Sequence, residues 1–268
     1  MSRCYAIPSP SNAAPAFHRP VFVGKPSFPR RREPSVVDSL ARHSREGGNP
    51  WTLLWPVIPA PAKLARMPTS LIIVDDFLSP RDALQLREVG LKLTYPEQQG
   101  AFPGRNSLER IEIDGLEHGV SSLVGERVRP ISPLQSHAKF RMTLASDTGR
   151  AKVHIDQAYW SAILYLSRPE DCMGGTEFFR HRPTNTDRAP ITDEEMRAMG
   201  FASMEQMHRE IIERDSTDES KWELTMHAPM RFNRLVLLRP WLWHTAGPAF
   251  GDRLENGRLV YLMFFAAA

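Results

Sequence analysis

The sequence predicts a mainly β protein with flanking helices, arranged as an antiparallel sandwich or barrel. Many short strand signals follow one another in series, at 70–77, 137–145, 151–156, 160–167, 175–180, 234–239, 241–245 and 257–265. Such a series favours antiparallel layers over a parallel doubly wound sheet, in which strands would alternate with helices. The stretch "HAKFRMTLA" sets Ala138, Phe140, Met142 and Leu144 against His137, Lys139, Arg141 and Thr143, the period of a half-buried strand.

Taken in order, "SLIIVDDF" opens the domain as a β-branched strand. Ser79 is a good N-cap with Pro80 at the first helical position, so a helix follows through "SPRDALQLREVGLKL". Residues 100–107, "GAFPGRNS", are loop chemistry; Arg105 and Asn106 there either meet a polar substrate or make an ordinary turn. Gly174 and Gly175 make the turn before a strand. Residues 182–230 interrupt the strand series. Thr192 with Glu195, and Ser203 with Gln206, have capping-box spacing, which places two short helices near 193–199 and 204–214. An insert of this length is either a lid or binding element, or a surface elaboration that covers the sheet.

The first 66 residues differ from the rest. They hold eleven of the 23 prolines, the basic runs "PRRREP" and "ARHSREGG", and no sustained period of a helix or strand. We expect a disordered segment over 1–66 and a folded domain over 67–268. "SFPRRREPS" and "RHSREGGNPW" resemble translated repetitive intergenic DNA of bacteria, and Met67 opens an ordinary domain start. Two readings stand: a start codon placed too early, or a genuine disordered tail. The intact mass of protein from its own host decides between them, since a native chain retaining 1–66 rules out the first.

Charge follows the same division. Residues 1–66 carry ten Lys or Arg and three Asp or Glu, a net of +7, out of chain totals of 34 and 31. The remainder has 24 basic (34 − 10) and 28 acidic (31 − 3) residues, a net of −4, so nucleic-acid binding has no electrostatic footing there. Two cysteines, Cys4 and Cys172, exclude a disulfide framework or multi-cysteine zinc site. Nothing near Cys172 activates its thiol. No apolar run approaches the ~20 residues of a membrane span. The expected compartment is the cytoplasm of a bacterium, with the oligomeric state open.

The candidate chemistry starts at "AKVHIDQAYW". On an extended strand His154 and Asp156 project to one side and Ile155 to the other. A mononuclear non-haem iron site needs two imidazoles and one carboxylate with the remaining positions open. His244, at the end of "RLVLLRPWLWH", is the candidate third ligand. After the turn "TAGPAFGDRLENG", Arg258 shares a strand face with Val260, Leu262 and Phe264. A guanidinium buried there needs an anionic partner: the distal carboxylate of 2-oxoglutarate, or an internal Asp or Glu. Trp160, Trp241 and Trp243 flank the ligands and either line a pocket or belong to the core. His181 and His227 are read as surface or hydrogen-bonded residues outside the site.

"HIDQAYWSAILYLSRPEDCMGGTEFF" and "MRFNRLVLLRPWLWHTAGPAFGDRLENGRLVYLMFF" resemble the 2-oxoglutarate and Fe(II)-dependent dioxygenase superfamily, with prolyl-hydroxylase-like ordering. "FPGRNS", "GGTEFFRHR" and "DESKWELTMHAPMRFNRLVLLRP" resemble an uncharacterised bacterial family within it. The resemblance covers about 67–268. It implies a double-stranded β-helix, the jelly-roll or cupin-like core, with a metal in its mouth. It also implies that His154, Asp156 and His244 bind Fe(II), that Arg258 binds the distal carboxylate of 2-oxoglutarate, and that Tyr165 donates to the same carboxylate or simply packs. Asp156 stands where related halogenases carry a small residue, which favours hydroxylation or oxidative demethylation with O2 of a small-molecule or peptide substrate. The alternative is a catalytically inactive jelly-roll protein that binds a metal or ligand. The long insert leaves the substrate open.

Overall fold

The computed structural model describes residues 69–97, 101–149 and 151–268. The expected disordered segment over 1–66 lies outside the described residues. The elements are β1 (Leu71–Val74), α1 (Pro80–Leu91), β2 (Arg105–Asn106), α2 (Leu116–Val124), β3 (Val128–Pro130), β4 (Lys139–Thr143), β5 (Trp160–Tyr165) and β6 (Gly175–His181). There follow α3 (Asp193–Ala198), α4 (Met204–Met207), a π-helical turn (His208–Glu213), a 3-10 turn (Glu219–Lys221), β7 (Trp222–Pro229), β8 (Leu235–Leu238), β9 (His244–Thr245) and β10 (Arg258–Ala267).

The strands form two antiparallel sheets. The larger runs β1-β8-β5-β10-β4-β2, with β3 on the far end of β10; the smaller runs β7-β6-β9. An isolated antiparallel bridge between His154 and His244 extends the smaller sheet beyond β9. Along the chain the backbone therefore passes from β4 in the large sheet to His154 in the small one. It returns to β5, crosses to β6 and β7, then to β8, β9 and β10 in alternation. This is the double-stranded β-helix, a jelly roll with flanking helices.

Period-two patterning decides which side chains meet which layer. On β5 and β10, Trp160, Ala162, Leu164, Leu259, Tyr261, Met263 and Phe265 pack against α1 and α2 through Leu86, Leu116 and Val120. The opposite face meets the small sheet, where Tyr165, Val236, Leu238 and Val260 pack on Phe178 and Ala228. With both faces covered, β10 reads as an almost continuous apolar run. Helix α1 begins where expected: Ser79 Oγ accepts from the Asp82 N–H at 3.1 Å, and Pro80 occupies the first turn. Gly90 lets α1 lie on β4, because a Cβ there would stand 2.6 Å from the Phe140 ring.

Three expectations need correction. The strand over 151–156 shrinks to the single bridge at His154, because its other amides bond to loops: Ala151 N–H to Ala101 O, Val153 N–H to Ser216 O and Asp156 N–H to Pro240 O. The strand over 241–245 shrinks to His244–Thr245. Residues 222–229, expected inside a helical insert, are instead β7, paired with β6 along its length. A register shift falls between Phe178 and Phe179, opposite Met226 and Leu224 respectively, and leaves Thr225 as the extra residue. Thr225 Oγ1 donates to Phe178 O at 3.1 Å. The bulge breaks the alternation, and residues 223–227 are exposed on an edge, so no period-two signal exists in "ELTMH". The two expected helices are present as α3 and as α4 with the π-helical turn, with Thr192 and Ser203 as side-chain caps.

Candidate metal centre

Three donor groups converge where the small sheet meets the start of β5. The ligand atoms offered by His154, Asp156 and His244 all lie within 4.8 Å of one another. His154 Nε2 stands 3.7 Å from Asp156 Oδ1, and His244 Nε2 stands 3.4 Å from Asp156 Oδ2. Ligands bound to one ion at roughly 2.0–2.2 Å and at right angles would be about 3 Å apart, so a small contraction suffices. His154 and His244 are brought together by their own backbones, each N–H donating to the other's carbonyl at 2.9 and 3.1 Å.

The tautomers are set by the chain. His154 Nδ1 lies 3.0 Å from Lys152 O, and His244 Nδ1 lies 2.7 Å from Leu242 O. A ring nitrogen facing a carbonyl must donate, so each neutral ring presents a bare Nε2 towards Asp156. Ser161 Oγ, on β5, donates to Asp156 Oδ2 at 2.7 Å and orients the carboxylate. Burial lowers the His154 pKa to about 4, and the neighbouring His244 adds to the shift. Burial also opposes charge on His244, but the Asp156 hydrogen bond and charge outweigh it and raise that pKa. Burial opposes ionisation of Asp156 too, yet its contacts with both histidines and Ser161 hold it well below the usual carboxylate range.

Arg258 and Tyr165 lie on the inward faces of the adjacent strands β10 and β5. Arg258 is 3% exposed, and among the described residues its guanidinium has no hydrogen-bond acceptor or carboxylate; its buried Nε is unbonded. The guanidinium carbon lies 5.9 Å from the Tyr165 ring centroid. Desolvation pushes the Arg258 pKa down. The alternative, an internal Asp or Glu partner, is absent among the described residues. The Tyr165 hydroxyl is engaged within the barrel, at 2.6 Å from Thr176 Oγ1 and accepting from the Thr176 N–H at 2.9 Å.

Other candidates resolve differently. Trp160 and Trp243 are fully buried core residues, and Trp241 is half-buried against the insert. Trp160 carries the guanidinium of Arg239 4.0 Å from its ring. His181 is buried and bonded to Asp215 at 3.1 Å and Thr184 at 2.8 Å, while His227 is exposed. Arg105 pairs with Asp147 at 3.5 Å, and Asn106 accepts from Arg141 at 2.8 Å. Burial raises the Cys172 pKa. A cavity of about 630 Å³ reaches Asp156, lined also by Gln157, Tyr159, Arg129, Ser132 and Gln135. Ser161 went unnoticed in the sequence although it shares the inward face of β5 with Tyr165, which was the available signal. Phe102 and Arg141, described below, gave none.

Residues 60–265 match the model of a family of unknown function, DUF6445. The chain belongs to that family. No curated protein matches it. Among solved structures, this DUF6445 member is similar to HygX from Streptomyces hygroscopicus with nickel, 2-oxoglutarate and hygromycin B bound, at 12% identity and a TM-score of 0.42, over 75% of this chain and 84% of that one. It is similar to IDO from Bacillus thuringiensis at 8% identity and a TM-score of 0.38, over 74% and 93%. The dioxygenase TqaL, described as Fe(II)/α-ketoglutarate-dependent, gives 12% identity and a TM-score of 0.34, over 74% and 83%.

Proposed function

We propose that this DUF6445 protein is an Fe(II)- and 2-oxoglutarate-dependent dioxygenase that hydroxylates or oxidatively demethylates a small molecule or peptide in the cytoplasm, with 67–268 as the catalytic unit. One observation carries the reading: an open set of two imidazoles and one carboxylate shares a barrel with a buried guanidinium that has no hydrogen-bond acceptor among the described residues. Two histidines and one carboxylate leaving positions open suit non-haem Fe(II). The unpaired Arg258 suits a carboxylate, which accepts two parallel N–H bonds from one guanidinium face.

Bound iron with 2-oxoglutarate and O2 supplies oxidation of a substrate C–H bond, coupled to conversion of 2-oxoglutarate to succinate and CO2. His154, Asp156 and His244 hold the ion, and Ser161 keeps the carboxylate turned towards it. Arg258 holds the far carboxylate of 2-oxoglutarate, and Val260, Ile163 and Leu262 form apolar walls that exclude water. Tyr165 supports the same pocket by keeping Thr176 in place. The cavity beside Asp156 has the size of small-molecule sites.

The test is succinate release from 2-oxoglutarate by anaerobically reconstituted Fe(II) protein, with and without a metabolite extract, beside His154→Ala and Arg258→Ala. Turnover that requires His154 and falls with Arg258→Ala supports the dioxygenase. Absence of turnover together with absence of 2-oxoglutarate binding by titration sinks it, and leaves a jelly-roll protein that binds a metal or another ligand.

A further inference from the structure

Residues 101–106 form a strap across one side of the metal centre. The Phe102 ring packs on His154, centroids 4.2 Å apart at 44°. His244 lies against the same imidazole, 4.5 Å away at 50°. The His154 ring therefore contacts two rings while its Nδ1 is held by Lys152 O.

Arg141, on the inward face of β4, fastens that strap. Its Nε donates to Pro103 O at 3.0 Å, its Nη2 to Phe102 O at 2.9 Å and to Pro103 O, and its Nη1 to Asn106 Oδ1 at 2.8 Å. A guanidinium whose donors are taken by carbonyls of one short segment is a clamp rather than an anion receptor. The strap also lies hard on its surroundings. Gly104 has φ +90°, and a Cβ there would come 2.3 Å from Thr143 Oγ1 and 2.6 Å from Met142 O. The Ala151 N–H donates to Ala101 O at 2.8 Å, which ties the strap to the segment that leads into His154.

We propose that Arg141 is a positioning residue of the metal centre, acting through the strap: it holds Phe102 against the His154 ring and so fixes the direction of His154 Nε2. The strap closes the His154 side, and a cavity lined by Asp156, Gln157 and Tyr159 lies against the third ligand. This rests on the metal reading of the three ligands given above.

The sign of one substitution separates positioning from charge. Arg141 carries a positive charge close enough to His154 to disfavour its protonation. If charge were its whole effect, Arg141→Met would tighten binding of a divalent cation. Positioning predicts the reverse: Arg141→Met, Arg141→Lys and Phe102→Ala each weaken binding roughly 10-fold, the lower end of what outer contacts of metal ligands contribute. Because Arg141 acts through Phe102, the double variant should bind no more weakly than either single one. The measurement is titration of metal-free protein with Co(II), followed by visible ligand-field absorbance, beside thermal unfolding of each variant. Phe102 is half-exposed, so Phe102→Ala keeps the test decisive where Arg141→Met fails to fold. Unchanged or tighter binding by Phe102→Ala or Arg141→Met, or losses that add in the double variant, overturn the inference. His154→Ala is the control: absorbance lost there with Phe102→Ala unchanged rejects the strap alone, and absorbance retained there rejects the metal reading with it.

Discussion

Replacing Arg258 by methionine should stabilise the ligand-free protein while removing its response to 2-oxoglutarate. The guanidinium is 3% exposed, its Nε has no acceptor among the described residues, and a second cation, Arg141, lies near enough to feel its charge. A buried donor left unbonded costs about 1–3 kcal/mol, and methionine keeps an unbranched apolar stem in the same space. For a domain of this size each kcal/mol corresponds to about 2–4 °C in Tm, so Arg258→Met should melt roughly 2–12 °C higher in the absence of ligand. Ligand closes that gap. A 2-oxoglutarate concentration 100 times Kd stabilises wild-type, Co(II)-loaded protein by about 2.7 kcal/mol and should leave the variant unmoved. Differential scanning calorimetry of both proteins, with Co(II) and with or without 2-oxoglutarate, reads both effects. A variant that melts below wild type without ligand, or gains as much from 2-oxoglutarate, would refute the argument that Arg258 is an unsatisfied cation awaiting a carboxylate.

Three further expectations follow from the same geometry. Ser161→Ala frees Asp156 Oδ2 from its 2.7 Å hydrogen bond and should weaken Co(II) binding about 10-fold by titration; equal affinity would remove Ser161 from the centre. The metal-free protein should lose stability as pH falls from 7 to 4. The unfolded chain protonates His154 near 6.5 whereas the folded ring waits until about 4, a difference of about 3 kcal/mol from this group, with Asp156 adding loss at lower pH. His244 acts with the opposite sign: its raised pKa gives stability that is full below 6.5 and fades as pH rises past its folded value. A urea midpoint that stays flat between pH 7 and 4 contradicts this balance. Finally, Gly175→Ala should cost roughly 1–3 kcal/mol or more, since its Cβ would lie 2.0 Å from Ala228 O at φ +151°. Gly200→Ala, at φ +86° with nothing within 4 Å, carries backbone strain alone and should cost less by chemical denaturation. Equal losses at the two glycines would contradict the clash.

The cluster of His154, Asp156 and His244 was legible because the first two stand two apart in sequence and the third ends a strand, and Arg258 lies on a face that the period of two defines. β1, β4, β5, β8 and β10 of the large sheet were legible from their strand patterning, whereas β2, in a segment read as loop, and β3 were not. What escaped depends on contacts between distant segments. Phe102 against His154 and Arg141 against the carbonyls of 102 and 103 have no periodic signature, since a carbonyl acceptor can belong to any residue type. The hydroxyl partner of Tyr165 is Thr176, across the sheets, and only the fold brings them together. β7 was hidden by its bulge and by exposure on both faces.

The reciprocal amide bonds between His154 and His244 also bear on how the molecule opens. The two residues are the boundary posts of a long excursion that contains β5 to β8 and the whole helical insert. A cation bridging their side chains closes that excursion a second time, in parallel with the backbone bridge, and acts as a clasp on a loop rather than as a local ligand set. Opening the loop then requires losing the ion and both amide bonds together. Hydrogen exchange at these two amides should slow on metal loading far more than exchange at the exposed edge of β7, so that the ion acts as a latch at the base of the loop rather than along its length.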